Sequence, residues 1–319
     1  MRNLITTKGA FHEPNSKTIL DHLKKCHQEG FWMDITKPDD EDMKILADCF
    51  KFHHLTIEDV QHRGQRPKLD EYPGYRFMVM FTAVWSKKGR LETDEYDLYL
   101  ADDYVVTVHD RPAPLLDELR KKIEETPEIA RGKPDFLTYL VIDAVVDPTF
   151  DALLKLDITI DELQDSIIES ADPEDLRKIY ELKHSVTQLR QLLSAERDLF
   201  QRLITESLDD QELDIYYRDV YDHIIRQYES VDSLRDLLTG AMDVYLSTVS
   251  NRLNVTMKTL TVIASLFLPI TFLTGFFGMN FAYLTGVLEP PTISFWIGCG
   301  VMAISVLIQL YFFRRRGWI

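Results

Sequence analysis

The sequence predicts an α/β domain followed by a helical hairpin, one long stalk helix and two C-terminal transmembrane helices. Three observations carry this fold class. First, residues 255–277 and 295–313 form two windows of 23 and 19 residues; Lys258 is the single charge in the first, and Gln309 is the single strongly polar residue in the uncharged second. At about 1.5 Å per residue such runs match a hydrocarbon core of ~30 Å. Second, short extended runs dominate residues 30–109. Third, a helical period runs from Tyr221 to Arg252 with no proline before Pro269.

Taken in order, residues 1–132 form an N-terminal α/β domain. FWMDIT, YRFMVMFTAVW, LETDEYDLYL and YVVTVH read as strands, with Gly89 and Ala101-Asp102-Asp103 as turns, giving a small antiparallel or mixed sheet. Residues 39–50 read as a helix, and Pro112 opens another that runs to Glu125. Residues 133–209 form an acidic helical hairpin, with one helix from Pro134 to about Ser170 and a second from Pro173 to about Ser207. Residues 210–254 form a stalk helix. Its seam is Tyr221, Ile224, Tyr228, Val231, Arg235, Leu238, Met242, Tyr245, Val249 and Arg252, at alternating gaps of three and four. Such a rod either couples the preceding domain to the first span or serves as a static anchor. The first span covers 255–278, an outer loop 279–294, the second span 295–313, and a basic tail 314–319.

Charge narrows the function. The chain carries 52 acidic and 36 basic groups, a formal charge of -16, which argues against nucleic acid and for a cation as partner. Arg314, Arg315 and Arg316 follow the second span, so the positive-inside bias places both termini in the cytoplasm. The first residues lack the apolar core of a signal peptide, and Cys26, Cys49 and Cys299 form no paired framework. There is no GxxxxGK loop and no nucleophile and base pair, so the chain is expected not to be an enzyme and to use no organic cofactor. His54, Glu58 and His62, and likewise His22 and Cys26, have helical spacing without completing a zinc set. Asp157, Asp161, Glu162, Asp165, Glu169, Asp172, Glu174 and Asp175 read as a solvated, cation-attracting skirt.

Two helices cannot enclose a pore, so a conducting form needs identical subunits around an axis, each lending one helix. The first span suits this better because it carries Thr256, Thr259, Thr261, Ser265, Thr271 and Thr274, although such hydroxyls also bond to their own helix. One stripe is Asn254, Met257, Thr261, Ala264, Leu268, Thr271 and Gly275; a neighbouring stripe replaces Thr261 with Leu260. Gly275 and Gly278 permit close approach at the end of the span, and Asn280 presents a side-chain carbonyl there. Repeated around an axis, Asn280 forms a neutral ring of acceptors suited to hydrated Mg²⁺, which sheds water reluctantly.

Gly278-Met279-Asn280, Pro269-Ile270-Thr271-Phe272, Ser250-Asn251-Arg252-Leu253-Asn254, the RDVYDH run 218–223, the run 237–251, the IEDVQHRGQRPKLDEY segment 57–72 and the basic run before Gly317-Trp318 together resemble the CorA family of magnesium and divalent-cation transport proteins. The resemblance covers nearly the whole chain and implies a funnel-shaped homopentamer. It implies a pore lined by Asn254, Met257, Leu260, Ala264, Leu268 and Thr271, with Gly278, Met279 and Asn280 at the selective mouth and Met257 and Leu260, helped by Leu268, as an apolar neck. Lys258 would lie near the inner interface. The resemblance also nominates Asp219 as a regulatory Mg²⁺ ligand between protomers, with Asp70, Glu71, Glu92 and Asp94 as candidate partners. The connector departs from the family's MPEL-like segment: its one acid, Glu289, lies nine residues beyond Asn280 and is a candidate for attracting cations. The implied function is a gated channel in the cell membrane, the inner membrane in a Gram-negative source, admitting Mg²⁺ and also Co²⁺ or Ni²⁺ down the electrochemical gradient. The alternatives are a proton-coupled zinc transporter like the related ZntB proteins, which share the GMN tripeptide, and a membrane-anchored scaffold without a pore.

Overall fold

The computed structural model describes residues 1–6, 9–25, 30–87, 89–127, 134–206, 211–279 and 291–318. The chain divides into two compact units, Met1–Met242 and Asp243–Ile319.

The first unit is built on one seven-stranded sheet of order β2-β1-β3-β7-β6-β5-β4. Its strands are β1 (Arg2–Thr6), β2 (Gly9–His12), β3 (Phe31–Thr36), β4 (Lys68–Tyr72), β5 (Tyr75–Trp85), β6 (Leu91–Leu100) and β7 (Tyr104–His109). All neighbours are antiparallel except β3 and β7, so the sheet is mixed. The helices of this unit are α1 (Ser16–Leu23), α2 (Asp40–Asp48), α3 (His54–His62), α4 (Pro114–Glu125), α5 (Pro134–Val146), α6 (Pro148–Glu169), α7 (Pro173–Glu206) and the first part of α8 (Gln211–Phe277).

Strand side chains alternate between two cores. On β5, Met78 and Met80 join Leu116, Ile123, Val141, Phe200, Val220 and Ile224, contributed by α4, α5, α7 and α8. Phe77 and Val79 instead join Ile19, Ile45, Leu46 and Val60 from α1, α2 and α3. Because helices cover both faces, the middle of YRFMVMFTAVW is apolar almost without alternation. Local chemistry sets the helix starts. Asp39 accepts from the backbone of Asp42 while the Asp42 side chain accepts from Asp39 N–H, a capping box that opens α2.

Several expectations need correction. The single helix expected from Pro134 to about Ser170 is two helices meeting at Asp147, because Pro148 has no N–H to donate and sits at the first turn of α6. The first 25 residues add β1, β2 and α1, and residues 54–72 add α3 and β4. On α8 the buried stripe is Tyr217, Val220, Ile224, Gln227, Val231, Leu234, Leu238, Ala241 and Tyr245. It shares Ile224, Val231, Leu238 and Tyr245 with the expected seam, but lies one residue earlier at alternate positions. Gln227 is buried because its Nε2 donates to the Val146 carbonyl at 2.9 Å, closing the end of α5.

The second unit holds the remainder of α8 and α9 (Pro291–Arg315), which starts before the expected loop boundary at 294. Both contain apolar windows long enough to cross a membrane.

Strand β4 pairs with β5 only as far as the Lys68 to Val79 register. Beyond it, Phe81 N–H donates to Glu196 Oε1 at 2.7 Å and Ala83 N–H donates to Thr149 Oγ1 at 3.1 Å. Glu196 is buried, and Phe81 N–H is its one hydrogen-bond partner among the described residues. Burial pushes its carboxyl up to about 8, against the pull of the Phe81 donor. A carboxyl raised above its unfolded value of about 4.3 stabilises the fold most below that value, and this contribution is lost as pH rises through the folded one. Thermal unfolding of the detergent-solubilised protein should therefore fall in midpoint between pH 5 and 9. Glu196→Gln, which keeps an uncharged acceptor for Phe81 N–H, should flatten the dependence; equal slopes in both proteins would refute the assignment.

Candidate functional site

The break at Pro148 leaves Asp143 in the last turn of α5 and Asp147 at the junction, where they meet Asp219 and His223, spaced four apart on α8. His223 Nδ1 lies 3.0 Å from Asp147 Oδ1 and 3.3 Å from Asp143 Oδ1. Tyr139 OH donates to Asp219 Oδ2 at 2.7 Å. One donor atom from each of Asp143, Asp219 and His223 lies within 4.8 Å of the others. Asp143 Oδ1 is buried without a hydrogen bond, Asp219 is exposed, and the Phe150 ring meets His223 edge-on at 5.7 Å. Burial, and then the neighbouring Asp147, push the Asp143 carboxyl up to about 6, opposed by His223. Burial and the bond to Asp219 also raise the Tyr139 phenol.

This donor set fits a divalent cation. A cation relieves the repulsion between Asp143 and Asp147 that adds to burial in raising the Asp143 carboxyl, and it gives a bond to Asp143 Oδ1, which makes no hydrogen bond. Two carboxylates suit Mg²⁺, with water completing its shell, while the imidazole extends the set to Co²⁺, Ni²⁺ or Zn²⁺.

Asp219 is nominated from sequence to share a metal with an acid of the neighbouring protomer; within one chain its neighbours are Asp143 and His223. Asp70 pairs with Lys68 at 3.1 Å, Glu92 and Asp94 pair with Arg111 at 2.6 and 2.9 Å, and Glu71 is exposed on β4. Sequence reasoning missed Asp143, Asp147 and His223. The available signals were the i,i+4 spacing of Asp219 with His223 and the acid just before Pro148. His62 Nδ1 is engaged by the Glu58 carbonyl at 3.0 Å, within α3. In the acidic skirt Asp175 is buried as a cap that accepts from Asp172 N–H and Ser166 OH, and Glu174 pairs with Arg177.

In the second unit the two faces of the first span are distinct. Lys258, Val262, Ser265, Leu266, Pro269, Ile270 and Leu273 are shielded, as are Gly298, Met302, Ser305, Val306, Gln309 and Phe313 on α9. These are the faces the two apolar helices turn toward each other, with small and polar residues on the α9 side. Asn254, Met257, Leu260, Ala264, Leu268 and Thr271 are all exposed. At about 100° per residue, five of these six, all but Asn254, fall on the side of α8 opposite Val262. Thr261 is exposed too, so burial does not separate it from Leu260. The hydroxyls of Thr256, Thr259, Thr261, Thr271 and Thr274 donate to carbonyls of their own helix. At the end of the span a Cβ on Gly278 would lie 3.0 Å from the Thr274 carbonyl oxygen, so glycine fits this turn and larger residues crowd it. Asn280 and Glu289 lie outside the described residues.

A family model described as CorA-like Mg²⁺ transporter protein matches residues 27–315. The chain is 33% identical to the putative metal ion transporter YfjQ of Bacillus subtilis over 98% of both chains. It is also 33% identical to the cobalt/magnesium transport protein CorA of Thermotoga maritima, over 90% of this chain and 83% of that one. The solved complete structure of the CorA magnesium transporter from Methanocaldococcus jannaschii has the same fold, with a TM-score of 0.83 at 22% identity, covering 100% of this chain and 99% of that one.

Binding at the Asp143, Asp219 and His223 cluster should be measurable by calorimetry on the purified protein. Co²⁺ affinity should drop on His223→Ala by more than Mg²⁺ affinity does. Both should weaken as pH falls below about 6, where Asp143 takes up a proton. Equal losses for the two ions on His223→Ala would exclude the imidazole as a ligand.

Proposed function

Because the chain belongs to the CorA-like Mg²⁺ transporter family, and is thus a membrane divalent-cation transporter and not an enzyme, we propose that it is a gated channel for Mg²⁺ that also admits Co²⁺ or Ni²⁺. The observation that carries this reading is the exposed stripe Met257, Leu260, Ala264, Leu268 and Thr271, on the face of the first span turned away from the second. Lipid can cover an apolar face, so this stripe becomes functional only where identical subunits gather it around an axis. Five copies around an axis turn it into a lining.

In this reading Met257 and Leu260 form a neck that dries when narrow and stops a hydrated ion. Asn280, with Gly278 and Met279, forms the outer mouth, and Glu289 draws cations toward it. Ions enter down the electrochemical gradient. An inward-negative potential of 100 mV favours entry of a divalent ion by about 4.6 kcal/mol, twice the single-charge value. Closure follows from cytoplasmic Mg²⁺ at Asp219, held with Asp143 and His223 or shared with an acid of the neighbouring protomer, such as Asp70, Glu71, Glu92 or Asp94. Asp219 and the neck residues lie on one helix, α8. The imidazole of His223 favours a second reading, in which the chain carries Zn²⁺ as ZntB proteins do, coupled to protons.

In liposomes the protein should give Mg²⁺ flux driven by the Mg²⁺ gradient alone, reduced at least tenfold by Asn280→Ala. Internal Mg²⁺ should inhibit it, with the midpoint moved to higher concentration by Asp219→Ala. Flux that requires a proton gradient and prefers Zn²⁺ supports the second reading, and folded oligomers without divalent-cation flux refute both. Membrane-impermeant thiol reagents added outside cells should label cysteines placed at Thr285 or Gly286 and leave one at the exposed Arg316 untouched. The reverse pattern would overturn the cytoplasmic placement of both termini.

A further inference from the structure

Lys258 is the single charge within the first apolar window, and its ammonium is not free: Nζ donates to the Gly317 carbonyl at 2.7 Å. The acceptor is held by a complete helix stop. Gly317 has φ +64, its N–H donates to the Arg314 carbonyl at 3.1 Å, and Trp318 N–H reaches back to the Phe313 carbonyl at 2.9 Å. The Trp318 ring stacks on Phe313 at 5.7 Å. This is a Schellman ending with its usual apolar contact, and it presents the Gly317 carbonyl at the negative end of the α9 dipole. A buried or interfacial ammonium is costly unless hydrogen-bonded, and a helix end has carbonyls to spare, so each group answers the other's need.

We propose that Lys258 is a positioning residue for the gate: its bond to the Gly317 carbonyl ties the inner end of the first span to the end of the second and holds Met257 and Leu260 against widening. Lys258 belongs to the shielded face of α8, whereas Met257 and Leu260 are exposed on the other side. A rotation or shift of the first span relative to the second that withdraws the neck residues from the axis moves the ammonium relative to Gly317 and stretches the tie. The C-terminal stop thus acts as a stay on the pore helix. The inference rests on the neck assigned above.

The test compares Lys258→Met, Lys258→Arg, Gly317→Val and Arg316→Gln in liposome Mg²⁺ flux and in hydrogen exchange of residues 312–318. Valine is strained at positive φ and displaces the carbonyl, while arginine still donates. Arg316 stacks over Phe312 at 4.8 Å, so Arg316→Gln removes a positive charge at this end without touching the tie. Lys258→Met and Gly317→Val should each raise the midpoint for inhibition by internal Mg²⁺ about fivefold, the effect of losing ~1 kcal/mol. Lys258→Arg and Arg316→Gln should stay within about twofold of the parent by the same scale. Exchange over 312–318 should quicken in Lys258→Met independently of transport. Unchanged exchange in that variant overturns the tie whatever the flux shows. Faster exchange with an unchanged midpoint overturns its link to the gate. An equal shift in Arg316→Gln assigns the effect to the positive belt and overturns it as well. A parent that carries no Mg²⁺ refutes the channel reading, and the positioning role falls with it, while the exchange result still reports the bond.

Discussion

Every backbone donor and acceptor out of reach of water needs a partner, and most of this molecule's unusual side-chain placements serve that need. In the first unit Gln227 closes the Val146 carbonyl where Pro148 interrupts the helical ladder, and Glu196 and Thr149 take two strand N–H groups that β4 is too short to reach. In the second unit threonine hydroxyls fold back onto their own helix, and Lys258 takes a carbonyl beyond the end of α9. Pro269 is a further case. It lies inside α8 and has no N–H for the Ser265 carbonyl, four residues earlier, yet the helix continues to Phe277.

The cluster at Asp143, Asp147, Asp219 and His223 follows from the same break. An uninterrupted helix through residue 147 would have kept α5 in line with α6. The junction instead sets two acids beside an acid and an imidazole on α8. Acids brought this close repel, and that repulsion adds to burial in raising the Asp143 carboxyl. A proton on Asp143 or a divalent ion relieves that repulsion, so occupancy responds to both pH and metal. The pairing of Asp70, Glu92 and Asp94 with Lys68 and Arg111 removes much of their charge from competition for the same ions.

Much of the architecture was legible in the sequence, and the failures have physical reasons. The two spans stand out because length and apolarity alone define them, and YRFMVMFTAVW announces a strand by its β-branched and aromatic content. RNLIT and GAFH are too short and too mixed to announce β1 and β2. The parallel pairing of β3 with β7 joins segments some seventy residues apart, from Phe31 against Tyr104, and no local pattern encodes it. On α8 the expected seam positions Tyr221, Tyr228, Arg235 and Met242 are half-buried, with Tyr221 and Tyr228 packed against the core, and the fully buried positions lie one residue earlier, the polar Gln227 among them. In the first span hydropathy is uniform all round, so the division between the face with Val262 and the face with Leu268 needed the hairpin itself. Family likeness nominates Asp219, whereas Asp143 comes from seventy-six residues upstream and only folding brings it near.

Closing the far half of β5 has a consequence for how copies of the chain meet. A strand with free N–H groups invites strand exchange between molecules, which ends in swapped or fibrous aggregates. With Phe81 and Ala83 already engaged by side chains from the helical layer, two of the N–H groups beyond the end of β4 cannot recruit a second sheet. A membrane protein crowded against its own copies at high local concentration is thereby steered toward association through helix surfaces, where contacts can slide and reform, and away from edge-to-edge sheet pairing, which would lock the copies together.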